Sequence, residues 1–140
     1  MTEQKYNIKK KEIFENRKSI RQREIDLDNL TKQAHSELNV GDGVTVNLYT
    51  DRHAYTVIKR TACTITIQQD KAILDPNFKP EIIPGGFLGH CINQDEQSYT
   101  YERNTSGTKL TLHFSKKYGR FMYLDKPISI GRHEFYDYNF

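Results

Sequence analysis

At "NVGDG", Asn39 to Gly43, the hydrophobic period of the chain changes from that of a helix to that of a strand, which sets an α+β organisation. Upstream, from about Asn7 to Leu38, there is neither Gly nor Pro. Tyr6, Ile13, Ile20, Leu27 and Ala34 recur every seven residues, and Leu30 and Leu38 widen the lower part of the stripe. The spacing predicts one long helix, so that residues 1–38 form an N-terminal extension. Its heptad partners Asn16 and Arg23 are polar, so a long dimeric coiled coil is poorly encoded. The helix either lies on the body of the protein or joins a second copy of the chain to make a homo-oligomer.

Residues 40–140 read as a compact antiparallel β domain. Val44, Val46 and Leu48 share one face; Tyr55, Val57 and Lys59 form the return strand, and Cys63, Ile65 and Ile67 a third, with Cys63 pointing inward. "TDRHAY" occupies the tip of the first hairpin. "LDPNFKPEIIPGGFLGH", Leu74 to His90, holds three prolines and three glycines, which predicts a long shaped loop whose Phe78, Ile82, Ile83, Phe87 and Leu88 pack down. "SYTYER" and "KLTLHF" read as a hairpin around Asn104 to Thr108, and "RFMYL" as another strand. "VGDGVTV" is similar to the opening of small SH3-like barrels, and that likeness implies a partly closed barrel.

A chain of 140 residues supports one modest core, burying about 60 to 70% of its unfolded surface, and nine tyrosines with seven phenylalanines supply much of the apolar area. The net charge of +3 is too small to announce nucleic-acid binding by bulk electrostatics. The excess is local: between Lys5 and Arg23 eight basic residues face only Glu12 and Glu15. Two cysteines make no disulfide framework, no apolar run marks a leader, and no segment is long enough to cross a membrane. The expected setting is a reducing cytoplasm.

Three polar clusters are candidate sites. Asp51, Arg52 and His53, with Tyr55 following, are either a solvated turn or a recognition edge. In "GGFLGHCINQ", backbone amides at Gly85, Gly86 and Gly89 and the side chains of His90, Asn93 and Gln94 can approach a ligand, although the string is no P-loop. "GRHEFYDYNF" interleaves Arg132, His133, Glu134 and Asp137 with aromatics; as a closing strand it would set Tyr136 beside Arg132 and Glu134. No His or Cys spacing suits a metal or other cofactor, and no nucleophile motif points to an enzyme. Nucleic-acid contact rests on Lys9, Lys10, Lys11, Arg17 and Arg21 in the helix, and on Lys116, Lys117 and Arg120 among the aromatics of "HFSKKYGRFMY".

The strings "DRHAYTVIKRT", "DPNFKPEIIPGGFLGHCINQDEQSYTYE" and "GRHEFYDYNF" together resemble a family of small proteins encoded by phages and prophages of Firmicutes, over about Val40 to Phe140. That resemblance implies genomic company rather than chemistry. It suggests a host-cytoplasmic counter-defence protein that acts by binding, its partner a CRISPR-Cas nuclease or its guide ribonucleoprotein. The rival expectations are a sponge for a cyclic or ADP-ribose-type nucleotide signal and a small RNA- or DNA-binding module.

Overall fold

Thr2 and Ser19 each start a helix. In the computed structural model, which describes residues 1–16, 18–84 and 89–139, the Thr2 hydroxyl accepts the Lys5 N–H at 3.2 Å and the Ser19 hydroxyl accepts that of Gln22 at 3.2 Å. The expected single helix is therefore two, α1 (Glu3–Glu15) and α2 (Ile20–Ser36), folded into an antiparallel hairpin. The Tyr6 hydroxyl meets that of Thr31 at 3.1 Å, and the Met1 amino group meets Glu37 at 3.0 Å. The Arg23 guanidinium caps the last turn of α1 through the Asn16 carbonyl. One straight 32-residue helix would run about 48 Å and leave half its apolar stripe in water. Folding back instead buries Tyr6 with Leu30, Ala34 and Leu38, at the cost of leaving Ile20, a member of the heptad stripe, 73% exposed.

The strands are β1 (Gly43–Asn47), β2 (Arg52–Arg60), β3 (Thr64–Gln69), β4 (Lys71–Leu74), β5 (Ile82–Ile83), β6 (His90–Cys91), β7 (Tyr99–Glu102), β8 (Lys109–Ser115), β9 (Arg120–Tyr123), β10 (Lys126–Pro127) and β11 (Ser129–Ile130). The main antiparallel sheet runs β10-β9-β8-β3-β2-β1-β11. Its two edges, β10 and β11, are separated along the chain only by Ile128, so the sheet rolls into a nearly closed barrel. Asn47 stitches the seam, donating to the Pro127 carbonyl at 3.0 Å and the Ser129 hydroxyl at 2.9 Å. Val44, Val46, Tyr55, Val57, Ile65, Ile67, Leu112, Phe121, Ile128 and Ile130 fill the interior, and the helical hairpin completes the same cluster with Tyr6, Leu30, Ala34 and Leu38.

The β1–β2–β3 meander pairs as expected, apart from a bulge between Val57 and Lys59, and "RFMYL" supplies the expected strand, β9, which pairs with β8. Four expectations are corrected. The first turn is Leu48–Asp51, closed by the Leu48 N–H to the Asp51 carbonyl at 2.9 Å, so Arg52 and His53 belong to β2 and not to the tip. Cys63 is exposed and Cys91 is the buried thiol, because the chain enters β3 only at Thr64. "SYTYER" and "KLTLHF" form no hairpin: β7 pairs with β4 and β8 with β3. The connection between them is bound to the end of β3, where the Gln68 amide donates to the Thr105 and Gly107 carbonyls and the Gln69 N–H to the Thr108 carbonyl. Finally, Ile82 and Ile83 do not pack down; they pair with β6 and stay about half exposed, while Phe78 rests on Tyr138. Gly85, Gly86, Phe87, Leu88, Arg17 and Phe140 lie outside the described residues.

Candidate functional site

After β11 the chain turns at Gly131, whose φ of +90° suits glycine, and residues 132–139 run as a tail that is no strand. Its pairing with the sheet is the single bridge between Arg52 and Phe135, with N–H to O distances of 3.0 and 2.9 Å. This corrects the expected closing strand, a role that β11 takes. The reason lies in the neighbours: the N–H groups of Glu134, Tyr136 and Tyr138 donate to the Tyr101 hydroxyl, Gln97 Oε1 and Gln94 Oε1, each at 2.9 Å. Side chains thus satisfy what a ladder would otherwise supply.

Two carboxylates anchor the tail. Asp70 is almost wholly buried; it receives the Arg132 Nε–H at 2.8 Å and the Thr56 hydroxyl at 2.7 Å, and that hydroxyl in turn accepts from Arg132 Nη2 at 2.8 Å. Arg103 approaches the same carboxylate at 3.6 Å. Arg132 can lie there because residue 43 is glycine: a Cβ would stand 2.7 Å from its Cγ. Glu134 holds β2 with both oxygens, one on His53 Nδ1 at 2.8 Å and one accepting the Ala54 N–H at 2.8 Å. Further along, Asp51 accepts the Asp137 N–H at 2.8 Å, and Asn139 exchanges two hydrogen bonds with the Cys91 backbone, at 2.6 and 2.9 Å. "TDRHAY", "GHCINQ" and the tail therefore do meet in space, and their special residues serve to lock the tail down.

These contacts divide the candidate residues into engaged and surface ones. Asp51, His53, Asn93, Arg120 and Arg132 are engaged internally: Asn93 spans the Lys79 carbonyl and the Glu81 N–H, and Arg120 pairs with Asp28 at 2.6 Å. Tyr55 is 6% exposed and belongs to the core, so it offers no face to a partner. Arg52, His90, His133 and Tyr136 remain at the surface, with the Arg52 guanidinium 4.6 Å from the Phe135 ring centre. Lys116 and Lys117 are exposed in the β8–β9 turn, Arg21 and Lys11 on the helical hairpin, and Lys9 and Lys10 partly covered there. Asp70, Thr56, Tyr101 and Arg103 were not singled out from sequence. Their signal was the polar register opposite the core, Thr56 across from Gln68, which carries meaning only once β2 and β3 are paired.

Between the tail and the β4–β7 ribbon lie two adjoining cavities of about 430 and 380 Å³ that share Tyr101 and Arg132. Arg52, Arg103 and Arg132 line them, but so do Asp70, Asp95, Glu102 and Glu134, so the cleft offers no excess of positive charge to an anion. Burial raises the Tyr101 phenol and pushes that of Tyr99 up to about 12, keeping both protonated; Tyr99 donates to Gln97 at 2.6 Å.

The Glu134 hydrogen bond raises the His53 pKa above its ordinary value, with burial opposing and the charges of Glu134 and Asp51 assisting. A base whose folded pKa is raised contributes fully below its unfolded pKa near 6.5 and loses that contribution as pH rises through the folded value. Glu134→Gln will therefore cost about 1 kcal/mol more at pH 5.5 than at pH 9 in urea unfolding. An equal cost at both pH values would show that the pair is not charged.

Among the described residues no His, Cys, Asp and Glu side chains group in threes around a metal-sized site, and no helix is long and apolar enough to cross a membrane. No protein-family model, curated protein or solved structure matches the chain.

Proposed function

We propose that this is a phage-encoded counter-defence protein that acts by binding, its target a CRISPR-Cas nuclease or the guide complex of one. The observation that carries this reading is the far end of the helical hairpin. Phe14, Ile20 and Ile25 are 52, 73 and 44% exposed there, among Lys11, Lys18, Arg21 and Arg23. Arg23 is spent on the α1 cap, Lys18 pairs with Asp26 at 3.3 Å and Lys11 with Glu15 at 3.8 Å, but Arg21 has no partner among the described residues. Apolar side chains with cations beside them suit a partner that sets phosphates or acidic side chains around an apolar centre, as a guide complex does where its protein and RNA adjoin. The engaged residues of the tail cleft supply no comparable free surface. Its balanced charge also favours a protein target over a nucleotide held between those arginines.

The test is target-DNA cleavage by purified effectors from Firmicutes hosts, with and without the protein, followed by gel filtration of the mixture. Wild type is expected to inhibit near one-to-one stoichiometry and co-elute with the effector. Ile20→Glu is expected to weaken inhibition at least ~10-fold while changing stability by less than about 0.5 kcal/mol, since Ile20 touches little of the fold. Full cleavage with no co-elution across the effectors would overturn the reading.

A further inference from the structure

A third cavity, of about 360 Å³, opens between the helical hairpin and the seam where β10 and β11 meet, and no carboxylate lines it. Lys10 of α1, Arg120 of β9 and His133 of the tail stand around it, with Asn7, Thr31 and Ser129 between them. Lys10 has no acidic partner among the described residues; Arg120 already meets Asp28 at 2.6 Å and the Tyr118 carbonyl at 2.9 Å, although Asp28 is shared with Lys32, and His133 lies 3.6 Å from Glu3. His35 of α2 also lines this cavity and is 0% exposed. Its Nδ1 accepts the Phe121 N–H at 3.1 Å, so the ring proton sits on Nε2, and that nitrogen faces only the Ile128 carbonyl, outside good hydrogen-bond geometry. A buried donor so poorly met is costly, and a ligand acceptor would recover that cost. Burial holds the His35 pKa down to about 4, the positive charge of Arg120 assisting and the Ile128 carbonyl failing to offset it, so the ring is a neutral donor near pH 7.

We propose that this cleft binds a phosphate monoester, the phosphate between Lys10 and Arg120 with His35 in the wall behind it. Lys10 and Arg120, with no lining acid, match a phosphate better than a carboxylate. Tyr6, Pro127 and Ile130 give the organic part an apolar wall, and the volume admits a group of about sugar size. The site is separate from the apolar end of the hairpin, so it does not depend on the protein-directed reading.

Calorimetric titration of the full chain with ribose 5-phosphate, with ribose and sodium sulfate as controls, tests it. Saturable binding to wild type, a rise in Tm of several degrees and a dissociation constant at least ~10-fold weaker in Lys10→Gln are expected. Ile20→Glu should bind like wild type, which separates this site from the docking end. The ¹⁵N signal of His35 Nε2 should move on titration. No saturable binding, or equal binding to wild type and Lys10→Gln, would overturn the proposal.

Discussion

Replacing Asp70 with alanine will lower the unfolding free energy by about 3 kcal/mol, the largest loss expected from a polar residue in this protein. The carboxylate is 1% exposed and both of its oxygens are taken, one by Thr56 and one by Arg132. Its removal leaves the Arg132 guanidinium facing a void with only the Thr56 hydroxyl to meet it. Breaking a buried pair from one side costs about 3–5 kcal/mol; Arg132 keeps 28% of its side chain in contact with water, which places the cost at the low end. Asp70→Asn, which keeps an acceptor for one neighbour, should lose about half as much. The consequence extends past the network, because Arg132 is the first anchor of the tail. Hydrogen exchange at the Glu134 and Phe135 amides should therefore accelerate more than exchange in β3. A urea-unfolding loss below about 1 kcal/mol, with tail amides still protected, would show that Glu134 and the Arg52 bridge hold the tail without Asp70.

What was legible in the sequence divides by distance along the chain. The β1–β2–β3 meander and the β8–β9 hairpin were readable because each joins alternating segments through short turns, so pattern and connection agree. The helix break was not, since Ser19 is an ordinary polar residue until its hydroxyl is seen capping Gln22, and the seven-residue stripe runs through the break unaltered. The β4–β7 pairing joins segments with a long proline-rich stretch between them, and nothing local in "SYTYER" prefers Lys71–Leu74 over the neighbouring "KLTLHF". The tail misled for a different reason: alternating aromatics read as a strand, but its amides go to Gln94, Gln97 and Tyr101. The site shows the same division. Arg52, His53 and Arg132 stood out as residue types, whereas the acids that hold two of them lie far away, Asp70 62 residues from Arg132 and Glu134 81 residues from His53.

The second large effect is acid sensitivity centred on His35. Its folded pKa of about 4 lies below the unfolded value near 6.5, so between these values the unfolded chain takes up a proton that the folded chain refuses. Stability tied to the neutral ring is complete above pH 6.5 and falls as pH drops toward 4, by about 2.5 kcal/mol at pH 4.5. His53 works in the opposite sense, being most stabilising in acid, and softens the slope without reversing it. Asp26, Asp28 and Glu37 have carboxyls held low by their partners, so they also lose stability in acid. These contributions are common to any variant at residue 35 and cancel in a comparison. His35→Phe is the useful partner: it keeps a ring against Phe121, whose centre lies 6.5 Å away, but cannot be protonated and leaves the Phe121 N–H without its acceptor. Near neutral pH the orphaned Phe121 N–H should leave the variant less stable by about 1 kcal/mol, since losing the poorly satisfied Nε2–H offsets part of that cost. As pH falls from 7 to 4.5 wild type should lose about 2.5 kcal/mol more than the variant, bringing the two curves together or crossing them. Parallel curves would mean that the ring takes up its proton as easily folded as unfolded, which requires Nδ1 to release the Phe121 N–H and water to solvate the resulting cation.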